Sequence, residues 1–330
     1  MTGRGSINKI RPDCAIRGEK RPREWGPRLL ARWVRWSVLA LLSWGVWAVM
    51  AKLIGDALSG PHNQALSTLG ILPVMLALGV AKKSSTTGSR RQGIAWALVG
   101  GALACAGNVI YYGILSRGGK AAMIVPLTAL YPLVTILLAM LLLKERLNWI
   151  QTGGLLLSLI AIYLFNVQGE EGFFSKSLIY ALAPIVLWGL AGLLQKVSTN
   201  HISGELSTLW FLAAFIPAAF LILAKEPLPA RIAPTVWLLV IAQGFFLALG
   251  NLAVLAAFAN QGKASIIAPL TALYPLVSVP VAILFLGETV SAREGSGIFL
   301  ALVSVAALCC ETQPRAQAQT SPAAKTDAIA

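Results

Sequence analysis

The sequence predicts an all-α polytopic membrane protein, with ten transmembrane helices in two inverted five-helix repeats, and three observations carry that prediction. Of its 330 residues, 57% are hydrophobic and only 12% charged, with a mean hydropathy of +0.73. An ordinary soluble domain carries about a quarter charged residues. The uncharged residues gather into runs close to the ~20 residues a helix needs to cross a bilayer. Finally, residues 119–134 read GKAAMIVPLTALYPLV and residues 262–277 read GKASIIAPLTALYPLV, identical at thirteen of sixteen positions at an offset of 143. A soluble globular fold is excluded.

The runs fall at about 36–55, 64–81, 93–115, 120–142, 149–166, 177–197, 205–224, 235–258, 264–286 and 295–310. In lipid a spanning segment must satisfy its own backbone hydrogen bonds, so each run is read as a helix. Lys52, Lys196 and Glu205 lie near run ends, where long side chains reach water. Ten of the 27 Lys and Arg lie between Arg4 and Arg35. Next to a span, such a block marks the cytoplasmic side rather than a nucleic-acid partner. No apolar core with a small-residue cleavage site follows it, so residues 1–35 read as a basic cytoplasmic tail and not as a signal peptide.

Orientation follows. With the tail inside, the 82–91 loop (Lys82, Lys83, Arg90, Arg91) and the 143–148 loop (Lys144, Arg146) are cytoplasmic, and the 167–176 loop with Glu170 and Glu171 is external. This assignment puts 20 Lys and Arg inside and seven elsewhere, as the positive-inside rule requires. An even helix count returns the Ala/Gln/Pro-rich segment 311–330 to the cytoplasm as a disordered tail. The expected location is the inner (plasma) membrane, multi-pass, with both termini cytoplasmic.

The repeat extends beyond the duplicated string. The offset of 143 also matches Gly107–Asn108 with Gly250–Asn251 and Glu145 with Glu288, and an offset of 144 matches Trp44–Gly45 and Lys52 with Trp188–Gly189 and Lys196. The units are 36–167 and 177–310. Each holds five helices, an odd number, so the second enters the membrane upside down. Inverted repeats of this kind are typical of secondary transporters.

The fourth and ninth runs carry the strongest functional signal. Each has two prolines six residues apart, Pro126/Pro132 and Pro269/Pro275, and proline removes an amide donor and disrupts a helix locally. Paired interrupted helices at matching places in two halves point to a transporter site, with these prolines as helix breaks or gating positions; the plainer alternative is a packing kink. Thr128, Tyr131 and Thr135 share one helix face, as do Thr271, Tyr274 and Ser278. Hydroxyls there either line a wet cavity or fasten helices together. Asn108 and Asn251 sit inside the third and eighth runs, where an amide needs partners, and Trp44 and Trp188 are expected to face the same cavity. The candidate substrate contacts are therefore Tyr131, Tyr274, Thr128, Thr271, Asn108, Asn251, Trp44 and Trp188.

Other residues read as structural. Gly93, Ala97, Gly101 and Cys105 form a small-residue row for close helix approach. Gln243 is intramembrane without a counterpart. Lys120 and Lys263 flank the repeated helices, and Glu145 and Glu288 end them, within reach of Arg146 or Arg293. Cys14, Cys105, Cys309 and Cys310 show no ligand spacing. No carboxylate sits mid-membrane, which favours a facilitator or exchanger over a proton-driven pump. No phosphate-binding loop, metal spacing or catalytic triad is present, so no enzyme activity and no cofactor is expected.

Two halves with Trp-Gly in the first helix, and a run such as AAMIVPLTALYPLVTILLAMLLLKERL leading into a fifth helix with Gly153–Gly154, resemble the EamA family of the drug/metabolite transporter superfamily over residues 36–310. The resemblance implies a central cavity between the halves, the fifth and tenth helices at the periphery, and the family's glutamate at Glu145 and Glu288. It implies efflux or exchange of a small-molecule solute, with the lipid bilayer as surroundings and no nucleic acid as partner. The alternatives are a non-transporting scaffold or assembly subunit, and a lipid carrier with an apolar cavity open sideways.

Overall fold

The structure, a computed structural model, describes residues 32–55, 57–80, 88–142, 147–166, 176–260 and 264–310. They form thirteen helices and, among the described residues, no strand. In the first repeat α1 is Arg32–Gly55, α2 Gly60–Val80, α3 Arg90–Leu115, α4 Ala121–Thr128, α5 Pro132–Leu142 and α6 Trp149–Asn166. The second contains α7 Lys176–Thr199, α8 Gly204–Ala213, α9 Phe215–Lys225, α10 Pro234–Ala259, α11 Ala264–Thr271, α12 Pro275–Phe285 and α13 Ala292–Cys309. Among the described residues eight stretches are long and apolar enough to cross a membrane, counting α4 with α5, α8 with α9 and α11 with α12 as single stretches. The chain is a multi-pass membrane protein.

Two of the interrupted spans break at a proline, whereas Pro73, Pro126, Pro184, Pro269 and Pro280 lie inside helices without breaking them. Pro132 and Pro275 open α5 and α12, and the turns before them are tightened to three-residue bonds, Tyr131 N–H to Thr128 O at 3.1 Å and Leu273 N–H to Leu270 O at 3.3 Å. A third break, at Ala214 between α8 and α9, stands just ahead of Pro217. The sequence signal was Pro217 within the run 205–224, which has no counterpart among the paired prolines of the fourth and ninth runs.

Packing pairs α1 with α10, α3 with α7, and α6 with α13. The first two pairs correspond under the repeat, and one core joins residues from Ala40 to Val305. Small residues set the closest crossings. A β-carbon on Gly70 or Gly244 would fall on the backbone of the facing helix, at Ile241 and Ser67 respectively. The row beginning at Gly93 packs against Ile202 and the α8 backbone at Phe211. Ser158 of α6 meets Ser304 of α13 at 2.5 Å.

One end of the bundle carries a cluster of paired charges. Glu288, read as a structural charge ending its helix, accepts the Ala121 and Ala122 N–H groups at 2.9 and 2.7 Å and pairs with Lys52 at 3.5 Å. The first N–H groups of a helix have no intrahelical acceptor and carry its positive dipole end, so the start of α4 attracts the carboxylate. Gly287, with φ of +65°, provides the left-handed turn that aims it. Lys52 also donates to Gly119 O at 3.0 Å. Lys120, read as a mere flanking charge, pairs with Glu294 at 3.2 Å and donates to Thr289 O at 3.1 Å. Glu145 and Lys263 lie outside the described residues.

Candidate functional site

The site is built where the repeated motifs meet. Gly45 and Gly189 admit the broken segments: a β-carbon on Gly45 would stand 2.5 Å from Val277 Cβ, and one on Gly189 2.5 Å from Val134 Cβ. The neighbouring tryptophans lie against glycines of the partner helices, Trp188 on Gly107 of α3 and Trp44 on Gly250 of α10. Each Trp-Gly pair thus docks on a Gly-Asn pair from the other repeat. That is why both pairs appear twice in the sequence.

The hydrogen bonds around this core are only half symmetric. Trp188 Nε1 donates to Asn108 Oδ1 at 3.1 Å and to Ala104 O at 3.3 Å. At the corresponding place Gln195 Nε2 donates to Asn251 Oδ1 at 3.0 Å while Asn251 Nδ2 donates to Leu247 O at 2.8 Å. Trp44 Nε1 and Asn108 Nδ2 are left buried with no partner among the described residues. A buried unsatisfied donor costs roughly 1–3 kcal/mol. Gln195 causes the asymmetry, because its repeat-matched position holds Ala51.

The broken segments cross and exchange hydroxyls. Tyr131 Oη donates to Ala268 O at 3.3 Å and lies 3.3 Å from Thr271 Oγ1; Tyr274 Oη lies 3.5 Å from Thr128 Oγ1. Thr128 and Thr271 donate to Ile124 O and Ile267 O, both at 2.8 Å, and Thr135 donates to Gly189 O at 2.9 Å. The hydroxyls therefore do fasten helices, as the plainer reading held.

A cavity of about 70 Å³ remains at the centre, room for several waters or a small organic group. Trp44, Trp188, Tyr131, Tyr274, Asn108, Asn251 and Thr271 line it. Thr128, of the eight candidate contacts, does not; it is wholly buried behind Tyr274. Of the four prolines expected to break helices, Pro132 and Pro275 stand at the breaks, whereas Pro126 and Pro269 lie inside α4 and α11 and leave them unbroken; all four are buried and none lines the cavity.

Rings stand edge-on to one another around the space. Trp44 is 6.5 Å from Tyr131 and 6.4 Å from Tyr274, at 78° and 82°; Trp188 is 6.5 Å from Tyr131 at 87°. Sequence reasoning missed Trp47, Gln195, Phe211, Phe215 and Phe258, all in the lining. Trp47, one turn beyond Trp44, stacks on Tyr111 at 5.1 Å and donates to Tyr112 Oη at 2.7 Å. Gln195 is seven residues after Trp188, on the same helix face. That spacing was the available signal.

The sequence matches the EamA-like transporter family over residues 31–167 and 175–310. An uncharacterised protein of Methanocaldococcus jannaschii is 33% identical over 75 residues, which are 23% of this chain and 54% of that relative, so the match spans about half the relative's length. A solved crystal structure, 18% identical, superposes over 83% of this chain and 95% of its own with a TM-score of 0.61. That likeness extends to the fold alone.

Proposed function

The chain belongs to the EamA-like transporter family, and from that premise we propose that it moves a small organic metabolite across the inner membrane by alternating access, as an exporter or exchanger. In this reading ten spans form two inverted units, 36–167 and 177–310, with both termini cytoplasmic. The three broken pairs (α4 with α5, α8 with α9, α11 with α12) each count as one span. Inversion is supported by the two copies of the duplicated string: α4 begins at the end of the bundle where α12 finishes, since Glu288, just past α12, caps Ala121 and Ala122. In this reading the copies of one sequence run in opposite directions.

The observation that carries the function is the crossing of the two proline-broken segments beside a central cavity. Each segment's tyrosine reaches the other's threonine. Rocking the halves about that crossing would open one end of the cavity and close the other. The Lys52–Glu288 and Lys120–Glu294 pairs close one end; with α1 running outward, it is the external end. The substrate contacts in this reading are Tyr131, Tyr274, Thr271, Asn108, Asn251, Trp44 and Trp188, with Thr128 acting through Tyr274.

The satisfied hydroxyls favour the second reading, a membrane scaffold. Against it stands the aromatic-lined cavity, which a scaffold would have filled. Comparing metabolites released by deletion and overexpression strains tests the choice. Overexpression should raise release of a defined solute, and the Tyr131→Phe/Tyr274→Phe pair should remove that rise at unchanged membrane abundance. Equal release by every strain would leave the scaffold standing.

A further inference from the structure

Buried polar atoms without a partner gather on one side of the cavity. Among the described residues, Asn63 Oδ1, both amide atoms of Gln64, both of Gln243 and the Tyr111 hydroxyl are buried and unbonded. These side chains come from α2, α3 and α10, yet they share one level of the bundle. Gln243 stands one turn before Leu247 and two before Asn251, on the α10 face that lines the cavity. Tyr111, one turn past Asn108, is set between two lining rings, 5.1 Å from Trp47 and 5.4 Å from Trp188. Gln64 is one turn before Ser67, on whose carbonyl oxygen a Gly244 β-carbon would fall.

That level lies between the cavity and the Lys52 end. There α2 starts beside the end of α3, with Gly60 against Gly113 and Val109, and Lys52 reaches Gly119 O. The first part of α10 is there too, where Val240 shares a small core with Ile54 and Leu58. The opposite side is built differently. At the offset of 143 the matching residues are Leu206, Ser207, Val254 and Gly100. The one polar side chain among them is satisfied, Ser207 Oγ lying 2.7 Å from Ser198 Oγ. The cavity extends toward that opposite side, to Gln195 and Phe258 near the ends of α7 and α10, and its lining includes none of Asn63, Gln64, Tyr111 and Gln243.

Polar groups this deep are ordinarily bonded, and in membrane helices they mark solute pathways. We propose that Asn63, Gln64, Tyr111 and Gln243 line the external half of the solute path, sealed in this conformation and wetted when the Lys52 end opens. This rests on the alternating-access reading. In the open state water or solute supplies the bonds that the packed helices do not. The sealed state carries the desolvation of these groups, so they favour opening.

Methionine matches glutamine in length and lacks its polar atoms. Gln64→Met and Gln243→Met should therefore stabilise the sealed state and oppose wetting of the path. Each should raise the melting temperature of the purified full-length protein by about 2 °C or more. On intact cells, in an Ala48→Cys background, a membrane-impermeant maleimide should label both variants about tenfold more slowly than the parent. Gln243→Asn keeps an amide and should label at the parent's rate. A lower melting temperature in both methionine variants would show that internal water bonds these groups in the sealed state, and overturns the proposal. So does a raised melting temperature with unchanged labelling, because the groups would then be covered in every state. Slower labelling in a protein whose overexpression releases no solute sustains the wetted path and overturns the metabolite reading. A defined solute released equally by the parent and both methionine variants does the reverse.

Discussion

Asn108 and Asn251 are the same residue of one duplicated unit, yet they do different work. Asn108 accepts from Trp188, whereas Asn251 is held by Gln195 and Leu247. The amides were legible in the sequence because they recur at one offset; Gln195 was not, because its counterpart is Ala51 and a search by repetition passes over what only one copy has. Gln195→Ala would leave the Asn251 oxygen facing the cavity, where water can take the bond. The expected result is a tenfold or greater loss of flux with a small change in melting temperature, read by proteoliposome transport beside a thermal-stability assay; unaltered flux would remove Gln195 from the binding surface. Gly189→Val tests the close approach itself. Replacing a mid-helix glycine by alanine usually gains about 0.5–1 kcal/mol, but any β-carbon here would lie 2.5 Å from Val134 Cβ and 2.9 Å from Tyr131 O. The variant should lose its monodisperse peak in size-exclusion chromatography, where a mere propensity effect would leave it sharper.

Among the elements, the prolines at 132 and 275 announced two interrupted helices, and the structure breaks both at those residues. The partners of the helix ends were beyond the sequence. Arg293 is near Glu288 along the chain, whereas Lys52 and the start of α4, which Glu288 also meets, are brought to it only by the packed bundle. The arrangement separates two contributions that substitutions can isolate. Glu288→Gln keeps an oxygen for an α4 amide but loses the charge that pairs with Lys52, while Glu288→Ala loses both. Hydrogen bonds to a charged acceptor contribute about 1.5–3 kcal/mol, and each 1.4 kcal/mol moves a two-state population about tenfold. If these contacts hold the Lys52 end shut, a thiol probe applied from outside should label a cysteine placed at Ala48 about tenfold faster in the glutamine variant. The alanine variant should be faster still. Identical labelling in all three proteins would show that the carboxylate braces the fold without gating it.

At the scale of the whole molecule, the repeat told more than any single motif. Under the proposed reading of five helices per unit, the two copies are related by a two-fold axis lying in the membrane plane. The placement of one carboxylate fits it: Glu288 can cap α4 only if the start of the fourth span and the end of the ninth share a face of the membrane. What sequence could not supply was the depth at which the motifs meet, because the offset aligns residues along the chain and says nothing of how far the helices tilt. The aromatic cluster of Trp47, Tyr111 and Tyr112 belongs to that unseen geometry. The proposed inverted arrangement makes a sharp demand on topology. Single cysteines at Gly118 and at Thr289, from different repeats, should both react with a membrane-impermeant maleimide on intact cells, while one at Ser203 should react only after the membrane is opened. Parallel repeats would instead set Gly118 and Thr289 on opposite sides. In that case the Glu288 cap on α4 could not form in the membrane, and the crossing of the proline-broken segments, on which the transport reading stands, would have no geometry left to support it.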